Sequence, residues 1–518
     1  MANMRIKNSI INVSAGLGSQ LIITLLSFIS RTVFINSLGV EFLGINGLFS
    51  NILGMLALAE AGIGSSIIYA LYKPVAENNI EKINALMRLY RNAYRIIALI
   101  VFILGVSLLP FLKYIVGDTT IENVNLIYCI FLLSTVSSYF YSYKVSLLNV
   151  NQKNYIATGI YSLSSIISTC IKIAIIYYTK DYVLYLIIDI ALTLTTSIIL
   201  SIIVDRIYPY LKNKVIIKLD IETKTGIIKN MKAMVLHQIG GYAVFGTDNI
   251  IISSFISVVA VGLYSNYYML INICRTFINQ IFDNITHSIG NLVAEENETR
   301  VYSVFKVIML FNFWIYSFFT IVLYITISPF ISLWIGNNFL LSDGILIIIM
   351  LNFFVSGMRR SISMVKQTSG IFHEDRYAPF VEAAVNLVVS IILVQYWGIA
   401  GVFFGTFVST IAVPFWIAPY LVYKKSFKVP LRNYFAKYAY YFVVGLATLI
   451  ITYYICGLII SVSLISFAIK TAIALIIPNI IYVILFRKTE EFIYLFRIVK
   501  SLFEKLSFKN RKGSNLTG

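Results

Sequence analysis

The chain has 518 residues, of which 59% are hydrophobic and only 12% are charged. A soluble domain carries about 25% charged residues, so a fold of this length with so little charge has no water-compatible surface, and lipid is its fitting exterior. The net charge of +18 does not point to nucleic acid, because Lys and Arg fall in short clusters between long apolar runs, as loop charges do in membrane proteins.

A spanning helix needs about 20 mostly apolar residues. Taken in order, segments near 9–35, 43–71, 94–116, 123–148, 155–178, 182–204, 233–256, 261–290, 304–328, 344–369, 378–396, 399–423, 435–457 and 464–486 meet that requirement. The expected fold class is an all-α polytopic membrane protein with about 14 transmembrane helices. The first apolar run is uncharged from Asn8 to Ser30, longer than the apolar region of a secretory signal, and reads as an uncleaved first span.

All but six of the 41 Lys and Arg residues fall in alternate connections and the two termini. That asymmetry predicts that both termini are cytoplasmic. The exceptions are Arg31, Lys113, Lys172, Lys180, Arg275 and Lys470. The longest charged connection follows the sixth span. It divides the chain into a six-helix lobe (1–204), a cytoplasmic linker (205–232), a second six-helix lobe (233–423), two additional helices (424–486) and a basic cytoplasmic tail (487–518). A weak internal echo supports two halves. Arg31 precedes a Gly44–Gly47 motif as Asp248 precedes one at Gly262–Ser265. The tail mixes Phe492, Leu495 and Phe496 with Lys and Arg, which fits either an amphipathic helix on an anionic leaflet or a solvated tail.

Charges inside spans are costly, so they mark function by default. In the eighth span Asn272, Arg275, Asn279, Asp283 and Thr286 or His287 recur at helical spacing on one face. Such a stripe lines a water-filled cavity, or it forms an internal ion pair with an acid on a neighbouring span. The first span repeats the pattern through Asn12, Gly16, Gln20, Thr24, Ser27 and Arg31, where Arg31 either lines a cavity or snorkels to the outer interface. Asp248, Asp283 and Glu60 are candidates for ion coupling or charge pairing, and Lys172, Asp189, Glu382 and Lys470 are further intramembrane charges. Cations at depth suit a phosphate, and Asn, Gln, Ser and Tyr suit sugar hydroxyls that cannot cross hydrocarbon unaided.

The three histidines, at 237, 287 and 373, lie in separate segments, and the four cysteines are unclustered. Neither set predicts a catalytic or metal site, and no Gly-rich phosphate loop is present. The expectation is a transporter that is not an enzyme and needs no cofactor.

The runs Arg31–Gly39, Glu41–Asn51 and Leu58–Gly64, with Gly246–Ser253 and Val261–Asn266 in the second half, resemble oligosaccharide repeat-unit flippases of the Wzx type. The resemblance implies the multidrug/oligosaccharidyl-lipid/polysaccharide exporter fold, two six-helix lobes in a V. It implies alternating-access export of undecaprenyl-pyrophosphate-linked repeat units across a bacterial cytoplasmic membrane for capsule, exopolysaccharide or O-antigen. It further implies an electropositive lumen, coupling to H+ or Na+, and association with polysaccharide polymerase machinery. From their position on the polar stripes, not from a family motif, the expected substrate residues are Arg31, Arg275, Asn272, Asn279 and Gln20. The two extra spans resemble those of lipid II flippases, where they form a lipid-tail groove. The rival readings are a drug or cation antiporter of the same fold, which would want an acidic cavity, and a membrane polysaccharide polymerase, which would want a large external loop.

Overall fold

A computed structural model describes residues 22–60, 63–151, 153–212, 219–220, 225, 227–228, 246–371, 374–459, 463–497 and 500. Every regular element among them is a helix. Ten helices are long and apolar enough to cross a membrane, eleven if one bent pair counts as a single span. The protein is a multi-pass membrane protein. Residues 9–21 and 233–245 of the spans expected near 9–35 and 233–256, with Gln20 and His237, lie outside the described residues.

Contacts divide the chain into two compact units, residues 1–265 with 394–402 and residues 266–393 with 403–518. The first unit opens with α1 (Ile22–Leu38) and α2 (Val40–Leu56), which meet at a bend of 120°. Gly39 stands at the bend with φ of 89°, a conformation that a Cβ would strain. The apolar segment read as one span at 43–71 is itself broken. α2 gives way to a 3-10 turn at Ala57–Glu60 and then to α3 (Ile63–Ala76).

α4 (Ile80–Leu108) follows, its first turn capped by the Asn79 side chain, which accepts from the Lys82 N–H at 3.0 Å. α5 (Leu112–Val116), α6 (Val124–Ser142), α7 (Val145–Val150), α8 (Asn154–Thr179) and α9 (Tyr182–Ile207) complete the main body, with α6 packed between α4 and α9. Asp181 caps α9 by accepting from the N–H groups of Val183 and Leu184. α10 (Asp248–Phe255) packs on α2 and α5.

The first turns of α11 (Val258–Glu295) cross α2 at backbone contact. A Cβ at Gly44 would overlap the Val258 carbonyl, and one at Gly262 would overlap the Val40 carbonyl. In lipid the hydrophobic effect does not press helices together, so small residues that admit dispersion contact do that work. The two Gly motifs that echo each other in sequence thus pack on each other.

In the second unit α12 (Glu298–Trp334) has the most buried core of the ten spans. Around it stand α13 (Asp343–Met358), α14 (Arg360–Thr368), α18 (Arg432–Gly457) and α19 (Leu464–Phe486). α15 (Ala378–Trp397), α16 (Ile399–Ala412) and α17 (Pro414–Val422) lie between them in sequence. The expected spans at 378–396, 435–457 and 464–486 correspond to α15, α18 and α19. The last two fasten to α12 by polar and aromatic contacts. Trp314 donates to Asn479 Oδ1 at 2.8 Å, Ser317 and Tyr482 share a hydroxyl bond of 2.5 Å, and Phe313 stacks on Tyr441 at 4.7 Å.

Candidate functional site

The junction of α13 and α14 builds the richest polar site. The helix breaks after Met358, which strands backbone carbonyls in a buried place. Asn312, fully buried on α12, donates to the carbonyls of Gly357 at 3.1 Å and Met358 at 3.0 Å. With the break satisfied, the adjacent residues Arg359 and Arg360 are held at a fixed corner and part company. Arg359 meets Glu382 of α15 at 3.3 Å, and Thr410 of α16 donates to the same carboxylate at 3.5 Å. Arg360 pairs with Asp283 of α11.

Arg275 lies two turns before Asp283 on α11. Its guanidinium sits over the Phe353 ring, 5.7 Å from the centroid. Tyr316 is within electrostatic reach of both Arg275 and Arg360. Asp283 of the same helix is matched by Arg360 and Glu382 of α15 by Arg359, so among the described residues Arg275 is a cation without an ion pair. Asn272 and Asn279 are exposed on the same helix, so the stripe is continuous on one face as the spacing requires. Such a face offers a fork-shaped cation flanked by amide groups, the chemistry of a phosphate with neighbouring hydroxyls.

Below the corner is a cavity of about 190 Å3 lined by Arg359, Lys366, Asp375, Glu382, Ser363 and Gln367 among others. Lys366 pairs with Asp375 there. Sequence reading assigned Arg359 and Arg360 to a cytoplasmic cluster and missed their role. The available signal was their position inside the apolar segment 344–369.

In the first unit Arg31 is held rather than displayed. Its Nη2 donates to the Ser265 carbonyl at 2.8 Å and to Ser265 Oγ at 3.0 Å. Ser265 in turn donates to the Gly262 carbonyl. Neighbouring Phe34 packs edge-on against Tyr182 and Tyr185. Tyr185 carries the Lys172 ammonium over its ring at 5.3 Å, and Lys172 pairs with Asp189 at 2.7 Å.

Glu60 occupies a separate place. It accepts from the Tyr94 hydroxyl, which contacts the Tyr90 hydroxyl, itself bonded by Ser146. Asp248 is buried at the start of α10. The structure thus pairs Asp283 with Arg360 and seats Arg275 on Phe353. It sets Glu60 in a tyrosine cluster apart from Arg31, and Gln20 lies outside the described residues.

Comparison with known proteins agrees with this architecture. The chain superimposes on the lipid II flippase MurJ in an inward closed conformation with a TM-score of 0.65 at 16% identity, covering 91% of this chain and 98% of that one. An inward-facing multidrug resistance MATE family transporter of the MOP superfamily gives 0.57 at 16% identity, covering 78% and 96%. The Vibrio cholerae MATE transporter VcmN gives 0.56 at 16% identity, covering 83% and 98%. At these identities the likeness establishes the exporter fold. No curated protein matches the sequence significantly. Residues 9–285, more than half of the chain, match the family described as polysaccharide biosynthesis protein. The chain belongs to that family.

Proposed function

We propose that the protein is a Wzx-type flippase that carries undecaprenyl-pyrophosphate-linked oligosaccharide repeat units across the bacterial cytoplasmic membrane. It supplies capsule, exopolysaccharide or O-antigen synthesis, moves its cargo by alternating access, and has both termini in the cytoplasm. The observation that carries this reading is Arg275, a guanidinium in an apolar helix, seated on an aromatic ring with its neighbouring acids matched by other arginines. A pyrophosphate would take that charge, while Asn272 and Asn279 meet sugar hydroxyls. Arg31 acts as a pin between α1 and α11, because its Nη2 is engaged by Ser265.

The polyprenyl tail has a candidate berth. An apolar cavity of about 260 Å3 opens between α12, α13 and α18, lined by Ile321, Ile347, Met350, Phe354, Leu446 and Leu449 among others. Its walls are mostly apolar, with Ser317, Thr320 and Tyr324 the hydroxyl-bearing residues among them, and suit acyl or isoprenoid chains. Glu60 and Asp248 are the candidates for coupling to H+ or Na+.

The antiporter reading draws on the likeness to multidrug exporters, but in the second unit Asp283 and Glu382 both have arginine partners, so a drug cation would have to use the acids of the first unit, Glu60 or Asp248. A host lacking its own repeat-unit flippase tests the proposal. The wild-type chain should restore surface polysaccharide, and Arg275→Ala should abolish it while membrane insertion is unchanged. Normal export by the Ala variant would overturn the role of Arg275. Restored drug resistance without restored polysaccharide would overturn the flippase.

A further inference from the structure

We infer that residues 487–500 form a foot on the membrane surface that binds the headgroups of acidic phospholipids. The foot begins one residue after α19 ends at Phe486, so it lies at the edge of the bilayer by chain connectivity alone. A helix starts at residue 490, and Thr489 caps it by accepting from the Phe492 N–H.

One side of this helix is bolted to the second unit. Glu491 pairs with Lys437 of α18, the Phe492 ring stacks on Trp314 of α12 at 5.9 Å, and the Arg300 guanidinium lies over the Tyr494 ring at 5.8 Å. The other side is exposed among the described residues. Ile493 is 46% exposed and Phe496 59% exposed, and Arg497 and Lys500 follow at helical spacing on the same face. Arg487 and Lys488 are exposed at the turn that leads in.

Four exposed cations against one exposed acid, Glu490, give the outer side a positive balance. Apolar side chains that enter the acyl boundary, flanked by cations at headgroup level, are the arrangement by which interfacial helices hold anionic bilayers. A soluble acidic partner would match the charge, but it would leave Ile493 and Phe496 facing the bilayer edge with no acyl chains to cover them. The inference concerns lipid, not cargo, so its outcome is independent of the flippase reading.

The test uses the full-length protein in nanodiscs of pure phosphatidylcholine and in nanodiscs with added phosphatidylglycerol. Amide hydrogen exchange across residues 487–500 should be about tenfold slower in the anionic discs. The difference should vanish in 0.5 M salt, a concentration roughly sufficient to screen surface charge. It should vanish also in a variant carrying Arg487→Gln, Lys488→Gln, Arg497→Gln and Lys500→Gln. All four side chains are exposed, and thermal unfolding of the variant checks that the fold is kept. Equal exchange in the two disc types, or a lipid dependence that survives in the fourfold variant, overturns the foot.

Discussion

At the scale of single residues, the second unit separates charges that are spent from one that is available. Arg359 and Arg360 are neutralised in place, whereas Arg275 rests on a ring that polarises toward it without cancelling it. Arg275→Lys keeps the charge but loses the planar fork. Export should fall by about 10–100-fold for Ala, the worth of one charged hydrogen bond to phosphate. The Lys variant should fall less. Radiolabelled or fluorescent repeat-unit transfer in proteoliposomes distinguishes the two, and equal loss in both would show that the fork, not the charge, matters. Arg360→Gln is expected to behave differently, because it leaves Arg275 in place and deprives Asp283 of its ion-pair partner.

A second residue-scale expectation concerns pH. Burial works against the charge of Glu491, but the Lys437 ammonium, a backbone N–H and the nearby Lys306 together outweigh it and hold the carboxyl below the usual range. A depressed native value means that the stabilisation is present above the unfolded carboxyl value, about 4.3, and is lost as pH falls through the native one. Glu491→Gln should therefore lower thermal stability in detergent at pH 7, on the order of 1 kcal/mol, and lose that penalty at acid pH. A penalty that grows on acidification would contradict the pairing.

At the scale of elements, the chain was legible wherever an apolar run coincided with one straight helix. α8, α9, α15, α18 and α19 follow their predicted segments because nothing interrupts them. α2 did not, because hydropathy cannot register the backbone turn at Gly39 or the 3-10 turn at Ala57–Glu60. The polar stripe on α11 was readable from spacing alone. Its partners were not, since Arg360 is a neighbour of Asp283 only after α13 has broken at Met358, and that break depends on Asn312, a residue with no sequence signal.

Asn312→Leu should be correspondingly costly. It fills the same space and removes the side-chain donor to two buried carbonyls, which keep only the Arg359 N–H and the Ser361 hydroxyl, at about 1–3 kcal/mol in all. A melt in detergent that matches wild type would show that the carbonyls find other donors. Gly44→Val should be worse than its size suggests, because the added side chain meets the Val258 backbone rather than a side chain that can turn away. Loss of folded protein by gel filtration is the expected outcome, and a normal elution profile would argue against the tight crossing.

At the scale of the whole molecule, the charge distribution and the site carry different messages. The clustering of basic residues sets topology, and it is expected to place residues 73–95 and 424–437 on the cytoplasmic side together with the tail. The apolar cavity bears on cargo, since a transporter of a soluble sugar has no use for a groove open to acyl chains. Gly445 lines that cavity and faces Ser317 and Phe313 closely. Gly445→Leu should fill part of the space, and Met350→Trp should fill more from the opposite wall. If the cavity holds a polyprenyl tail, both variants should weaken transfer of the long-chain lipid-linked substrate while sparing an analogue with a short, water-soluble chain. Proteoliposome transfer measured with the two substrates side by side decides it. Equal loss for both chain lengths would mean that the substitutions merely distort α12 and α18, and the tail would have to lie elsewhere.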